Sequence, residues 1–316
     1  MERAWQELID AVSGGEKRAL GCLITRVENR EAGWQEAMKA LYPRTGKAPM
    51  VGITGPPGAG KSSLTNRIAA ILLERGLRVG VIAVDPTSPF SGGALLGDRL
   101  RMRDVATASK IFIRSMATRG TLGGLCQGAR DVARILDAAG HDVVLIETVG
   151  VGQDEIEVVK AADLVVVVCV PGQGDGVQTL KAGIMEIADL FVVNKADREG
   201  ADELVADIHS MLALTGDPGD EAPPVLETCA LSGEGVDGLV AALLERADRA
   251  ISSGARGETR VREEILTLIE RELARVVRRR FGSDSRLEEA VRCVQRGEKD
   301  PYSAAEMVLE TLELAK

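Results

Sequence analysis

Gly55-Pro56-Pro57-Gly58-Ala59-Gly60-Lys61-Ser62 matches G-x-x-x-x-G-K-[ST] at every fixed position, and the rest of the chain is best understood outward from it. The apolar run Met50, Val51, Gly52, Ile53 leads into it as a short buried strand. Ser63 to Glu74 leaves it with helical spacing at Leu64, Ile68, Ile71 and Leu72. A strand, a glycine-rich loop and a helix in that order form a phosphate cradle. Glycines let backbone N–H groups turn inward without a Cβ in the way, and the helix points its positive end at the same place. Gly55 to Ser62 are therefore the candidate phosphate ligands. Lys61 would reach the β- and γ-phosphates, and the Ser62 hydroxyl would bind magnesium.

A chain of 316 residues, 45% of them hydrophobic, can bury a full α/β core and carry appendages. The formal charge of −9 argues against nucleic acid or an anionic membrane as a partner, since either needs a concentrated basic face. Five scattered cysteines without a C-x-x-C pair suggest reduced thiols that act as small buried hydrophobes. The N-terminus lacks the long apolar region of a secretory signal, and the longest apolar runs are too short to cross a bilayer. A soluble, cytoplasmic protein is expected.

Residues 2 to about 44 carry three sets of apolar positions at helical spacing: Trp5, Leu8, Ile9, Val12; then Leu20, Leu23, Ile24, Val27; then Trp34, Ala37, Met38, Leu41. They predict either a cap packed on the core or an arm that binds a partner, with Ser13 and Glu16 forming a capping box for the second helix. Short apolar runs then recur at Val79 to Val84, Ile111 to Ile113, Val143 to Ile146, Leu164 to Val170, Leu190 to Val193 and Val225 to Leu226. Their alternation with helical or loop stretches predicts an α/β fold, a doubly wound and mostly parallel sheet, with ligands at the carboxyl ends of the strands. The expected organisation is an N-terminal helical segment (1–46), a nucleotide-binding domain (47–252) and a C-terminal helical segment (253–316). In the last, Val261, Ile265, Leu268, Ile269, Leu273, Val276 and Val277 form an apolar stripe, to be buried within its own domain or in a symmetric dimer. Asp300-Pro301 supplies an N-cap and a first-turn proline for a final helix.

Asn194-Lys195-Ala196-Asp197 ends one of the strand runs and reads as a guanine selector. A carboxylate at Asp197 can accept from guanine N1–H and N2–H₂, whereas adenine offers no donor at either position. Asn194 would tie the base loop to the phosphate loop, and the Lys195 stem would lie along the base. Thr228-Cys229-Ala230-Leu231, after the next short strand, would add backbone N–H contacts to the base carbonyl or serve as an ordinary strand-to-helix turn. In Glu147-Thr148-Val149-Gly150 a buried strand delivers an acid and, three residues on, a glycine, the pattern that senses magnesium and γ-phosphate. Gly150 could donate to the γ-phosphate. Gln153 is a candidate for orienting water, although it stands three residues after Gly150 instead of directly after it. Asp85 and Asp98, in a turn-rich loop, could touch magnesium or form an Asx turn and an N-cap. The loop at 171–178, followed by Lys181, reads as a conformational switch or a plain loop. His141 and His209 have no Cys or His neighbour at metal-ligand spacing.

Four unusual loops occur together: E-T-V-G-V-G-Q at 147–153, D-P-T-S-P-F-S-G-G with G-D-R-L-R-M at 85–102, P-G-Q-G-D-G-V-Q at 171–178, and N-K-A-D at 194–197. From about Ala48 to Leu239 the chain closely resembles the MeaB/ArgK-type GTPases that accompany methylmalonyl-CoA mutase. The resemblance implies a GTP-hydrolysing chaperone that gates adenosylcobalamin loading into, and protects, a cobalamin-dependent acyl-CoA mutase. It also implies a homodimer joined through its C-terminal helices. Carried over by position, Gly55 to Ser63 would hold phosphates, Ser62, Asp98 and Glu147 magnesium, Asp197 guanine, and Gln178 and Lys181 would belong to a switch that answers the partner. Asp154 departs from the small neutral residue more usual there. A metal-insertion GTPase and a small-molecule kinase are the alternatives on the same core.

Overall fold

The structure, a computed structural model, describes residues 3–85, 108–117, 124–148, 162–172, 188–215, 222–252, 258–281 and 285–309. Two compact units divide the chain, residues 1–255 and 256–316. The first is built on a seven-stranded parallel sheet: β1 (Met50–Thr54), β2 (Val79–Asp85), β3 (Ile111–Ala117), β4 (Val143–Thr148), β5 (Leu164–Cys169), β6 (Leu190–Asn194) and β7 (Val225–Thr228), in the order β3-β2-β4-β1-β5-β6-β7. Each predicted apolar run is a strand. Runs such as Leu-Val-Val-Val-Val-Cys suit a sheet covered on both faces, because β-branched side chains pack well on a pleated surface that never meets water. Burial pushes the Cys169 thiol at the end of β5 up to about 12, which leaves it inert.

Strand periodicity divides the core between the two faces. Val143 and Leu145 of β4, with Val51 and Ile53 of β1, pack against α4 (Lys61–Glu74) and residues of the helix Val236–Ser252. Val144 and Ile146, with Met50, Ile82 and Val84, pack on the other face against α1 (Arg3–Ser13), α2 (Lys17–Glu28), α3 (Trp34–Leu41) and α5 (Gly124–Ala138). The helix α6 (Ala201–Thr215) covers the second face of β5 and β6, through Ala201, Leu204 and Ile208. Because β1 lies between β4 and β5, the loop leaving it opens at the carboxyl edge near the middle of the sheet.

The N-terminal helices are an integral layer of this unit. Trp5 is buried and its indole N–H donates to Ala32 O at 2.8 Å. Arg30 lies 4.1 Å over the Trp34 ring and pairs at 2.6 Å with Asp131 of α5. The buried Asp137 carboxylate, also on α5, accepts backbone N–H bonds from Gly46, Lys47 and Ala48, tying the connection into β1 to the same helix. The expected capping box does not form. Ser13 is the last residue of α1 and its hydroxyl bonds back to Ile9 O at 2.8 Å, while Glu16 stands at the N-cap of α2 with no side-chain bond. The intervening Gly14-Gly15 ends the first helix before the second begins, so the N-cap of α2 falls on Glu16 and Ser13 stays in α1, away from the N-cap position a capping-box hydroxyl needs. A second expectation is corrected at Cys22, which is exposed on α2, whereas Cys169 and Cys229 are buried.

Beyond α7 (Val236–Ser252), the second unit comprises α8 (Glu258–Phe281), α9 (Ser285–Gln295) and α10 (Pro301–Leu309). Ala290, Ala304 and Val308 form a small core against which Val277 packs. Asp300 caps α10, its carboxylate accepting from the N–H of Tyr302 and Ser303 at 2.9 and 3.1 Å. Most of the α8 stripe stays about half exposed, Ile265 at 51% and Leu273 at 50%. Among the described residues, no helix is long and apolar enough to cross a membrane.

Candidate nucleotide-binding site

The phosphate loop leaves β1 at Thr54 and enters α4 at Lys61. Two of its glycines are required by their surroundings. Gly55 has φ +143° and a Cβ there would overlap the Val168 carbonyl; at Gly60, φ +87°, it would strike the Asn194 amide. The α4 ladder starts with Leu64 N–H to Gly60 O at 2.9 Å. The amides of residues 61–63 therefore stand at the positive end of the helix, where an anion is favoured. Lys61 is buried, and its ammonium donates to Gly55 O at 2.7 Å and Pro56 O at 3.0 Å. These loop carbonyls hold the buried charge within the loop itself.

Glu147, the fifth residue of β4, is buried and accepts a hydrogen bond from the Ser62 hydroxyl. A hydroxyl and a carboxylate converging at the end of the phosphate loop are the hard oxygen donors a magnesium ion takes, so the residues fit that metal. Such an ion would neutralise the phosphates; Ser62 and Glu147 would hold it and Lys61 would complete the charge. Of the other sequence candidates, Asp98, Gly150 and Gln153 lie outside the described residues, as do Asp154, Gln178 and Lys181. Asp85 is the last residue of β2, opposite Ala117 of β3, and its side chain lies outside them too.

At the other end of the cradle, Asn194 joins three loops. Its amide donates to Ala59 O at 2.8 Å, and its carbonyl accepts from Ala230 N at 3.1 Å and the Thr228 hydroxyl at 3.2 Å. Both polar atoms of the buried side chain are spent on holding the phosphate loop and the two base loops together. Lys195 follows with φ +60°, an uncommon conformation for a residue with a side chain, and its ammonium donates to Gly58 O at 2.7 Å. The stem is thereby laid across the space between the loops. Asp197 is exposed on this turn, Cys229 and Ala230 are buried, and Leu231 is exposed.

The motifs do not name three contacts that the structure adds. Thr148 donates to the Thr54 hydroxyl at 3.1 Å, Thr228 takes part in the Asn194 network, and Arg67 of α4 donates to Leu231 O at 3.1 Å. A threonine closing each of two neighbouring apolar strands was the only sequence signal for the first. His141 is a satisfied core residue, buried with its Nδ1–H donating to Leu136 O at 2.8 Å.

A parallel sheet with a phosphate loop after β1, an acid one residue before the end of β4 and N-K-x-D at the end of β6 defines a P-loop enzyme that hydrolyses GTP. The family model described as methylmalonyl Co-A mutase-associated GTPase matches residues 20–283. The chain belongs to that family. A Pyrococcus horikoshii protein described as a GTPase is 50% identical over 312 residues, covering 97% of this chain and 98% of its own. The GTPase ArgK of Escherichia coli is 38% identical over 272 residues, 84% of this chain and 82% of its own. A solved structure of a protein described as a LAO/AO transport system kinase superposes with a TM-score of 0.72 at 28% identity, covering 99% of each chain.

Proposed function

We propose that this GTPase is a nucleotide-timed chaperone that gates adenosylcobalamin loading into, and protects, a cobalamin-dependent acyl-CoA mutase in the cytoplasm. The observation that carries the reading is the set of four loops at 85–102, 147–153, 171–178 and 194–197, in a chain that belongs to a mutase-associated family. GTP is bound with magnesium held by Ser62 and Glu147, joined by Asp98 and by Asp85 directly or through water. Lys61 stabilises charge on the transferring phosphoryl group, Gly150 donates to it, and Asp197 selects guanine. Gln153 is offset from the water-orienting position and the sequence shows no arginine finger. Turnover of the isolated protein is therefore slow, and contact with the mutase accelerates it. The half-exposed stripe of α8 supports a homodimer, since an apolar face of that length is stable in water only when covered.

The test is co-purification with a cobalamin-dependent mutase in the presence of GDP and of a non-hydrolysable GTP analogue. Binding that differs between the two nucleotides is expected, together with faster GTP turnover when the mutase is added. Absence of binding with either nucleotide overturns the chaperone reading and leaves the GTPase. A second reading, phosphoryl transfer to a small amine, is favoured by the superposition, over 99% of each chain, on a protein described as a transport system kinase. It predicts label from γ-phosphate on an acceptor other than water, whereas the chaperone reading predicts label in inorganic phosphate alone.

A further inference from the structure

The phosphate loop is held at both ends by two consecutive residues of β4. At its exit, Ser62 donates to Glu147. At its entrance, Thr148 donates to the Thr54 hydroxyl at 3.1 Å, with Ile53 O at 3.4 Å from the same oxygen. Successive strand residues point to opposite faces, so one strand end reaches the two ends of the loop from two sides. Backbone pairing between β1 and β4 runs from Met50↔Val144 to Ile53↔Glu147. The two hydroxyls therefore form a side-chain rung at the step where both chains leave the sheet. Thr54 and Thr148 are 1% and 2% exposed, and a buried hydroxyl pair of this kind has a defined geometry because water cannot substitute for either partner.

We propose that the Thr148 hydroxyl is a positioning group for the metal site: by pinning the end of β4 to the start of the phosphate loop, it fixes where Glu147 stands relative to Ser62. The proposal rests on the reading that Ser62 and Glu147 hold magnesium. In the structure these two side chains bond to one another, and a cation must separate them without losing either. The Thr54–Thr148 rung is the pivot that keeps Glu147 in range when its bond to Ser62 is given up. Thr148→Val keeps the shape and removes the donor. It leaves the Thr54 oxygen without its partner and frees the strand end by one hydrogen bond.

The readout is retention of fluorescent GDP as a function of magnesium, alongside retention in EDTA and thermal stability. Thr148→Val is expected to raise the half-saturating magnesium concentration about five- to tenfold, the effect of one buried hydrogen bond, while GDP affinity in EDTA stays within about twofold of wild type. Thr148→Ser, which restores the hydroxyl, returns the half-point to the wild-type value. Thr54→Val shifts the half-point in the same direction by no more than Thr148→Val does, since the Thr148 hydroxyl keeps Ile53 O as an acceptor, and the double variant adds nothing beyond Thr148→Val. Should Thr148→Val denature on purification, the Thr54→Val and Thr148→Ser half-points decide the matter alone. A wild-type half-point in the valine variants, or equal loss of affinity with and without magnesium, overturns the proposal and leaves a purely structural pair. A wild-type protein whose GDP retention is indifferent to EDTA overturns the magnesium reading itself, and the proposal with it.

Discussion

The side-chain amide of Asn194 donates to the carbonyl of Ala59 at 2.8 Å across 135 residues of chain, and its oxygen accepts from Ala230 N–H at 3.1 Å. One buried side chain thus ties the glycine-rich loop after β1 to the loops after β6 and β7, the candidate phosphate and base loops. A nucleotide bound there spans the distance between them, so binding depends on it before any direct contact is counted.

Asn194→Ala leaves Ala59 O and Ala230 N buried without this partner. Each unsatisfied group costs about 1–3 kcal/mol, so the variant is expected to lose about 2–6 kcal/mol of stability and at least about tenfold in GDP affinity. Chemical denaturation and a fluorescent GDP titration measure the two. A loss below about 0.5 kcal/mol with unchanged affinity shows that the three loops are held by other means.

Asp197 is exposed on the turn after Lys195; in the proposed reading its carboxylate accepts from both guanine donors. Asp197→Asn replaces one acceptor by a donor, which mismatches guanine N2–H₂ and matches the carbonyl that xanthine carries at the same carbon. GDP affinity is expected to fall at least about a hundredfold and the preference to shift towards xanthosine diphosphate. Competition between the two nucleotides checks it. An unchanged preference removes Asp197 from the base site.

Burial holds the His141 imidazole below its ordinary pKa, with the Arg78 charge adding to the effect against the Leu136 hydrogen bond. The folded protein therefore keeps the ring neutral at a pH where the unfolded chain has already protonated it. The stability this contributes is complete above about pH 6.5, the ordinary histidine value, and is lost as pH falls from there through the depressed folded value. Melting curves from about pH 7.5 to about 5.5 are expected to fall more steeply for wild type than for His141→Gln. Parallel curves would place the acid sensitivity elsewhere.

Ile265 and Leu273 lie two turns apart on α8, each about half exposed. Ile265→Glu with Leu273→Glu is expected to convert a dimer to a monomer in sedimentation velocity, with GDP affinity within about twofold of wild type, because the change lies in the second compact unit. A wild-type protein that sediments as a monomer overturns the dimer.

What was legible in the chain followed the range of the physics involved. Gly55 to Ser62 and Asn194 to Asp197 are contiguous, and their chemistry depends on backbone freedom and side-chain type within one turn. The seven apolar runs became seven strands because burial on both faces imposes a nearly unbroken apolar pattern. The capping box at Ser13 failed for a local reason, two glycines that end one helix before the next begins, and the exposure of Cys22 could not be read from its apolar neighbours.

By itself, then, the sequence determined the strands, the cradle and the base it prefers, since each is written in residues adjacent in the chain. Only the tertiary structure decided that Asn194 reaches Ala59, that Ser62 meets Glu147 and that Thr148 meets Thr54. These contacts join residues separated by 85 to 135 positions, and their geometry is set by strand order and register, which place β4 and β5 on either side of β1. No periodicity along one strand encodes which strand will lie beside it; packing of both faces of the sheet does.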